Sequence, residues 1–241
     1  MITDIHSHIL FGVDDGAKDI EKAIEMLKVS LKSGVDRVVL TPHYNPSYGY
    51  NNIVGEPLVS RYKELCEAAD KENLSVEIML GMEIRADYDT PKLLSSGKLI
   101  TLNGSRYPLI EFSHTDNAKK CEEILKELVS HGYSPVIAHP ERFSFFFSQP
   151  WIAYDWLELG CHIQITRGSL FGSFGSSAKS ASDYLLENSL VCCIASDCHG
   201  LNHRTPYMDD VYRYISDTIS PEAARLLMRV NPDRITSNKE L

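Results

Sequence analysis

The sequence predicts an α/β barrel of parallel strands, on three observations. Short apolar runs alternate with helical stretches along the chain, each run followed by a helix or a loop. The runs are apolar on both faces, as strands covered by helices must be. Their C-terminal ends carry imidazoles and carboxylates, where α/β barrels gather functional groups from separate strands. No linker, repeat or low-complexity segment divides the 241 residues, so residues 1–241 are read as one domain. An open doubly wound sheet is the alternative, since no glycine-rich nucleotide fingerprint separates the two.

The elements follow in order. "TDIHSH" is the first strand. "DIEKAIEMLKVSLKSG" sets Ile20, Ala23, Ile24, Leu27 and Leu31 on one helical face, with Gly34 as C-cap. "DRVVLTPH" is a buried strand stopped by Pro42. A helix over 57–72 leads to the strand "VEIMLGME". "PLIEFS", a helix over 117–131, and "SPVIAHP" come next. A helix near 150–160 precedes "HIQIT", and one around 177–188 precedes "LVCCIASD". From Pro206 onward the pattern is that of two helices.

Charge and composition narrow the function. The net charge of -9 is spread without a basic stripe, which argues against a nucleic-acid partner. No apolar stretch approaches ~20 residues, so no membrane span is expected. No basic stretch followed by an apolar run marks a signal peptide, and the six cysteines have no zinc-finger rhythm. Reduced thiols and a cytoplasmic location are the expectation.

The chain opens with "MITDIHSHILFGVDDG", which places His6 and His8 one residue apart and Asp14 and Asp15 before a glycine. Partners recur at later strand ends: His43 in "TPH", Glu83 in "LGME", Glu111 in "PLIEFS", His139 in "VIAHPER", and Asp197 and His199 in "IASDCH". Taken singly, each has an ordinary explanation, such as a solvent-facing H-x-H pair or a hydrogen-bonded core histidine. Glu111 is harder to dismiss, because a charge within an apolar strand needs a partner. Independent accidents would not place this set at successive strand ends. The side chains are those of Zn, Mn or Fe sites. They exceed what one ion takes while keeping an open position, so a cluster of two or three ions is expected. Such clusters ionise a bound water and clamp the oxygens of a phosphate ester.

In this order, "DIHSHILFGVDDG", "TPH", "GMEI", "PLIEFS", "VIAHPERF" and "IASDCHG" resemble the polymerase-and-histidinol-phosphatase (PHP) superfamily. More narrowly they are similar to its bacterial capsule-type metal-dependent protein-tyrosine phosphatases. The resemblance runs from Ile2 to the "NPDRI" near residue 235. It implies a distorted (β/α)7 TIM-like barrel with a trinuclear site, manganese being the expected metal and Fe, Zn or Mg alternatives. By that resemblance His6, His8, Glu83 and Asp197 hold one ion. Glu83, Glu111 and His139 hold the second, and Asp15, His43 and His199 the third. Spacing leaves open whether Asp14 or Asp15 is the ligand. Arg142 of "HPER" and Arg204 of "NHRTP" map to phosphate-binding arginines, and guanidinium geometry suits two phosphate oxygens at once. The implied reaction is attack of a metal-bridging hydroxide on phosphotyrosine, with no general acid assigned. The implied partner is a phosphotyrosine protein, the C-terminal tail of a bacterial tyrosine kinase that regulates capsular polysaccharide synthesis.

Two other readings stay open at this level. A small-molecule phosphatase of the histidinol-phosphate kind uses similar ligands. Cys198 and Arg204 also have the C-x5-R-[ST] spacing of thiolate tyrosine phosphatases. That mechanism leaves the histidines and carboxylates without a task. The loops "HYNPSYGYNN" and "RFSFFFSQPW" are rich in aromatics and offer a wall for a tyrosine ring; packing of Phe145, Phe146 and Phe147 beneath their own loop is the alternative.

Overall fold

The computed structural model describes residues 1–113 and 115–241. The strands are β1 (Ile2–Ser7), β2 (Val35–Leu40), β3 (His43–Asn45), β4 (Tyr50–Asn51), β5 (Glu77–Leu80), β6 (Glu83–Arg85), β7 (Leu109–Glu111), β8 (Val136–Ala138), β9 (His162–Thr166) and β10 (Cys193–Ala195). They form a sheet ordered β1-β2-β5 and a sheet ordered β10-β9-β8-β7-β6-β3-β4. All pairings are parallel except the short hairpin of β3 with β4.

The two sheets are parts of one ring. After Leu40 the chain runs through Thr41 and Pro42 and pairs again from His43, so Pro42 interrupts the strand rather than ending it. Gly81 and Met82 break the neighbouring strand at the same level, and the upper halves pair His43 with Glu83. The ring closes between β1 and the segment after β10. There the Asp197 amide donates to the His6 carbonyl at 2.9 Å and the His8 amide to the Cys198 carbonyl at 2.9 Å. Buried Asp4 fastens this seam by accepting from the Ser196 amide at 3.0 Å and from its hydroxyl at 2.6 Å. A distorted parallel (β/α) barrel results, with seven positions around its wall when each broken strand counts once.

Helices α1 (Ile20–Lys32), α2 (Leu58–Lys71), α3 (Thr90–Ser95), α4 (Ala118–Ser130), α5 (Ile152–Glu158), α6 (Arg167–Leu170) and α7 (Ser176–Glu187) fill the connections. The tail holds α8 (Asp209–Thr218), α9 (Pro221–Arg225), a π-helical turn over Leu226–Val230, and α10 (Asn231–Thr236). Two tail helices were expected; the second is divided, its parts joined through the π turn. Helix α1 begins at Asp19, whose carboxylate accepts from the Lys22 amide, and Ser33 rather than Gly34 is its C-cap.

Side-chain alternation along each strand explains where the site lies. The barrel interior is packed by Val39, Met79, Leu109, Val136 and Cys193, with Leu102, Tyr107 and Ile235 in the same cluster. Residues between them, such as Val38, Ile110 and Ile194, belong to the cluster packed under the helices. Stepping up by two from the inner residues leads from Val39 to His43, from Met79 to Glu83, from Leu109 to Glu111 and from Cys193 to Asp197. The inner lining thus changes from apolar to ionisable at the C-terminal rim. On β1 the register slips between Asp4 and Ser7, so Ile5 joins the inner cluster while the next residue, His6, faces the site.

At the opposite end, His162 opens β9 beside Tyr107, with Nε2 3.2 Å from the Ser134 hydroxyl. Burial, aided by the Arg106 charge, lowers its pKa from 6.5 to about 4. The neutral ring is favoured in the fold, so the stability it contributes is complete above pH 6.5 and is lost as pH falls from 6.5 towards 4. Discounted for its partial exposure, the loss is about 2 kcal/mol. His162→Gln should remove that part of the acid sensitivity, read from urea unfolding at pH 7 and pH 4. Parallel losses in variant and parent would rule His162 out as the source.

Candidate metal centre

Strand β1 presents His6 and His8 to the same side, both fully buried, with their Nε2 atoms 3.3 Å apart. Each ring is fixed through its other nitrogen. Gln164 donates through its amide nitrogen to the Ile165 carbonyl at 2.6 Å, which turns Oε1 towards His6 Nδ1 at 2.9 Å. His6 Nδ1–H is therefore the donor, and its Nε2 lone pair faces Glu83. His8 Nδ1–H donates to Asp14 Oδ2 at 2.8 Å in the same manner. Asp14 also accepts from the amides of Gly16 and His43, which folds the "DDG" loop under the site. Only glycine fits at 16, where a Cβ would lie 1.9 Å from the His8 carbonyl oxygen.

Asp14 thus stands behind His8, and Asp15 reaches the rim. Asp15 Oδ1 lies 3.5 Å from His43 Nε2 and 3.4 Å from His199 Nε2. Glu83 is the centre of the arrangement. Its Oε2 is 3.3 Å from His6 Nε2, 3.2 Å from His8 Nε2 and 2.9 Å from His43 Nδ1, while Oε1 is 2.8 Å from His139 Nε2. Glu111 Oε1 is 4.0 Å from His139 Nε2. Asp197 Oδ1 lies 3.4 Å from His6 and 3.5 Å from His8. The donor atoms fall into three groups, each able to hold an ion: His6, His8, Glu83 and Asp197; His8, Asp15, His43 and His199; and His43, Glu83 and Glu111. All nine ligand candidates of the sequence lie in this one constellation. The groupings differ from those the resemblance implies in two places. His8 joins Asp15, His43 and His199, and His43 takes the place of His139 beside Glu83 and Glu111. His139 thus belongs to none of the three groups, although its Nε2 lies 2.8 Å from Glu83 Oε1.

The donors fit divalent cations by their unsatisfied valences. Glu83 Oε2, Glu111 Oε2 and His199 Nε2 are buried polar atoms with no hydrogen bond. Burial opposes charge on His6, yet Glu83 and Asp197 outweigh it and raise its pKa. His8 is raised further by the Asp14 carboxylate against the same burial. Burial and the Glu83 charge push Glu111 up to about 7. Against its own burial, Glu83 is held well below the usual range by His6 and His43. Cations bound here would displace protons, and loading would weaken as pH falls.

Both arginines converge on Asp197. Arg142, on the turn after β8, places Nη2 2.7 Å from Asp197 Oδ2 and donates to the Thr166 hydroxyl at 2.7 Å. Arg204 pairs with Asp197 Oδ1 and donates through Nε to the Asp197 carbonyl at 3.2 Å. Burial opposes the Asp197 charge, but the two guanidiniums hold its pKa well below the usual range. His139, Asp197 and Arg204 have φ of 39°, 51° and 49°, in the left-handed region that L residues seldom adopt.

Above these groups lies a cavity of about 410 Å³, lined by both arginines, by Arg85, and by Tyr48, Tyr50, Phe147 and Phe174. Tyr50 stacks on His43 with ring centroids 5.5 Å apart. The three phenylalanines of "SFFFS" divide their work. Phe146 is buried against Trp156 and Phe145 packs beside it, whereas Phe147 is 43% exposed and faces the cavity.

The thiolate reading fails at Cys198. Its side chain is fully buried in the apolar core, and burial pushes the thiol up to about 12. The following loop closes on itself, with the His199 and Gly200 amides both donating to the Arg204 carbonyl. Neither is turned to cradle a phosphate bound at Cys198. Sequence reasoning missed Gln164, Thr166 and Phe174. Gln164 left a signal, a polar residue inside the apolar run "HIQIT".

Residues 2–237 match the family of capsular polysaccharide synthesis proteins, CpsB/CapC. The chain belongs to that family. Tyrosine-protein phosphatase YwqE of Bacillus subtilis is 34% identical to this CpsB/CapC chain over 245 residues, spanning 99% of it and 90% of YwqE. Tyrosine-protein phosphatase CpsB of Streptococcus pneumoniae is 33% identical over 237 residues, spanning 96% and 97%. A crystal structure from work on YwqE and CpsB, described as unique metal-dependent tyrosine phosphatases, superposes with a TM-score of 0.92 at 31% identity. It covers 100% of the CpsB/CapC chain and 96% of its own. No helix of the described residues is long and apolar enough to cross a membrane.

Proposed function

We propose that this CpsB/CapC chain is a metal-dependent protein-tyrosine phosphatase. The observation that carries the reading is the joining of three ligand groups through shared His8, His43 and Glu83, beside two arginines, beneath an aromatic-walled cavity. His6, His8, Asp15, His43, Glu83, Glu111, His139, Asp197 and His199 would hold two or three divalent ions, manganese first among them. When bound, such ions supply a water ionised at neutral pH and offset charge on the phosphoryl oxygens.

The chain's own groups do the rest. Arg142 and Arg204 bind and orient the phosphoryl group, and their shared carboxylate fixes both cations in advance of binding. Tyr48, Tyr50 and Phe147 receive the tyrosine ring. In the reaction a water oxygen bonds to phosphorus and the P–O bond to the phenol breaks. Phenolate leaves without a general acid, its conjugate pKa being ~10, and takes its proton from solvent. A bacterial tyrosine kinase tail that governs capsule assembly is the proposed substrate, and the cytoplasm the proposed site of action.

The test is phosphate release from a phosphotyrosine peptide, with manganese and after chelation. Activity should require metal, survive Cys198→Ser and disappear in His139→Ala. Activity that resists chelation but is lost in Cys198→Ser would overturn the reading.

A further inference from the structure

We propose that Phe174 is a positioning residue for phosphate binding, its ring serving as the platform that holds Arg142 and Arg204 together over Asp197. The inference rests on the phosphatase reading above and adds to it a residue that touches neither metal nor phosphorus. The Arg142 guanidinium carbon lies over the Phe174 ring, 3.7 Å from its centroid and within cation–π range. That of Arg204 lies 5.9 Å from the same centroid, within reach of the ring's negative face. Both cations therefore share one ring and one carboxylate.

The segment bearing Phe174 is built to keep the ring there. Phe174 lies between α6 and α7, on a turn closed by the Ser173 amide donating to the Gly168 carbonyl at 2.8 Å. The ring packs on Gly168, where a Cβ would stand 2.5 Å from Phe174 Cε2. The end of β9 and α6, which lead into this turn, support Arg142 through the Thr166 hydroxyl at 2.7 Å and, more loosely, the Ser169 hydroxyl at 3.4 Å. A guanidinium so held loses little freedom when a phosphoryl group arrives. Phe174 is 37% exposed and lines the cavity, although no hydrogen-bonding group of its own can bind phosphate.

Electronic and steric contributions can be separated. Mono-, di- and trifluorinated phenylalanine at 174 drains the ring's negative face while nearly preserving its shape. The affinity of the manganese-loaded protein for inorganic phosphate, by calorimetry, and kcat/KM on a phosphotyrosine peptide should both fall stepwise. The full series should lose roughly 2- to 30-fold. Phe174→Tyr should stay near the parent. Gly168→Ala, which displaces the ring without changing it, should lose as much as Phe174→Leu. A flat fluorination series would overturn the proposal. So would unchanged phosphate affinity with a raised KM for the peptide alone, which would make Phe174 a contact of the substrate ring. If the parent releases no phosphate from the peptide, the phosphatase reading fails, and the calorimetric series still decides the platform.

Discussion

Glu83→Gln should lower phosphatase activity by about 10³-fold or more while the barrel stays folded. Glu83 is within 3.3 Å of four imidazoles and belongs to two of the three ligand groups. Glutamine keeps the shape but removes the charge, and its amide nitrogen has no lone pair to offer a cation. Loss of charge stabilisation worth several kcal/mol corresponds to three or more powers of ten in rate. Metal content by mass spectrometry should fall with it, since this carboxylate would serve two of the three donor groups. A variant with full metal content and activity within tenfold of the parent would refute this central place for Glu83. The metal-free variant should also melt lower, because the Glu83 carboxylate offsets the charge of His6 and His43 in a buried site.

Arg142→Lys should cost about 10²-fold in kcat/KM, the scale of losing one preorganised donor. Nη2 of Arg142 spans Asp197 and Thr166 at 2.7 Å each while the planar guanidinium lies over Phe174. A lysine ammonium is a point charge and cannot hold that plane. Arg204→Lys should cost less, because Arg204 is 31% exposed against 10% for Arg142. Weaker inhibition by inorganic phosphate should accompany the loss in both variants. Equal activity of Arg142→Lys and the parent would mean that Arg142 serves only to hold Asp197.

The fold was legible because helix and strand periods differ and the strand runs are strongly apolar. The site was legible because charge inside such a run is costly and must have a reason, as at Glu111 and Asp197. Breaks within strands were not legible. "VVLTPH" reads as a strand with a stop, and only pairing across the ring shows that His43 begins a second, offset strand aligned with Glu83. Two adjacent aspartates cannot be told apart by spacing; the hydrogen bond from His8 to Asp14 separates them. Phe174 lies in "LFGSFGSS", whose composition marks a loop and nothing more. Its proximity to two arginines remote in sequence arises only in three dimensions.

The left-handed backbones of His139, Asp197 and Arg204 bear on how this protein would respond to thermostability engineering. Such conformations cost on the order of 1 kcal/mol each, less for histidine and aspartate than for arginine. Glycine at any of the three positions relaxes the backbone while deleting a side chain of the proposed site. At Asp197 the loss of the buried carboxylate that pairs two guanidiniums outweighs this relief. At Arg204, 31% exposed, a library sorted by melting temperature alone would enrich glycine. Stabilised variants of this barrel need a catalytic counter-screen from the opening round.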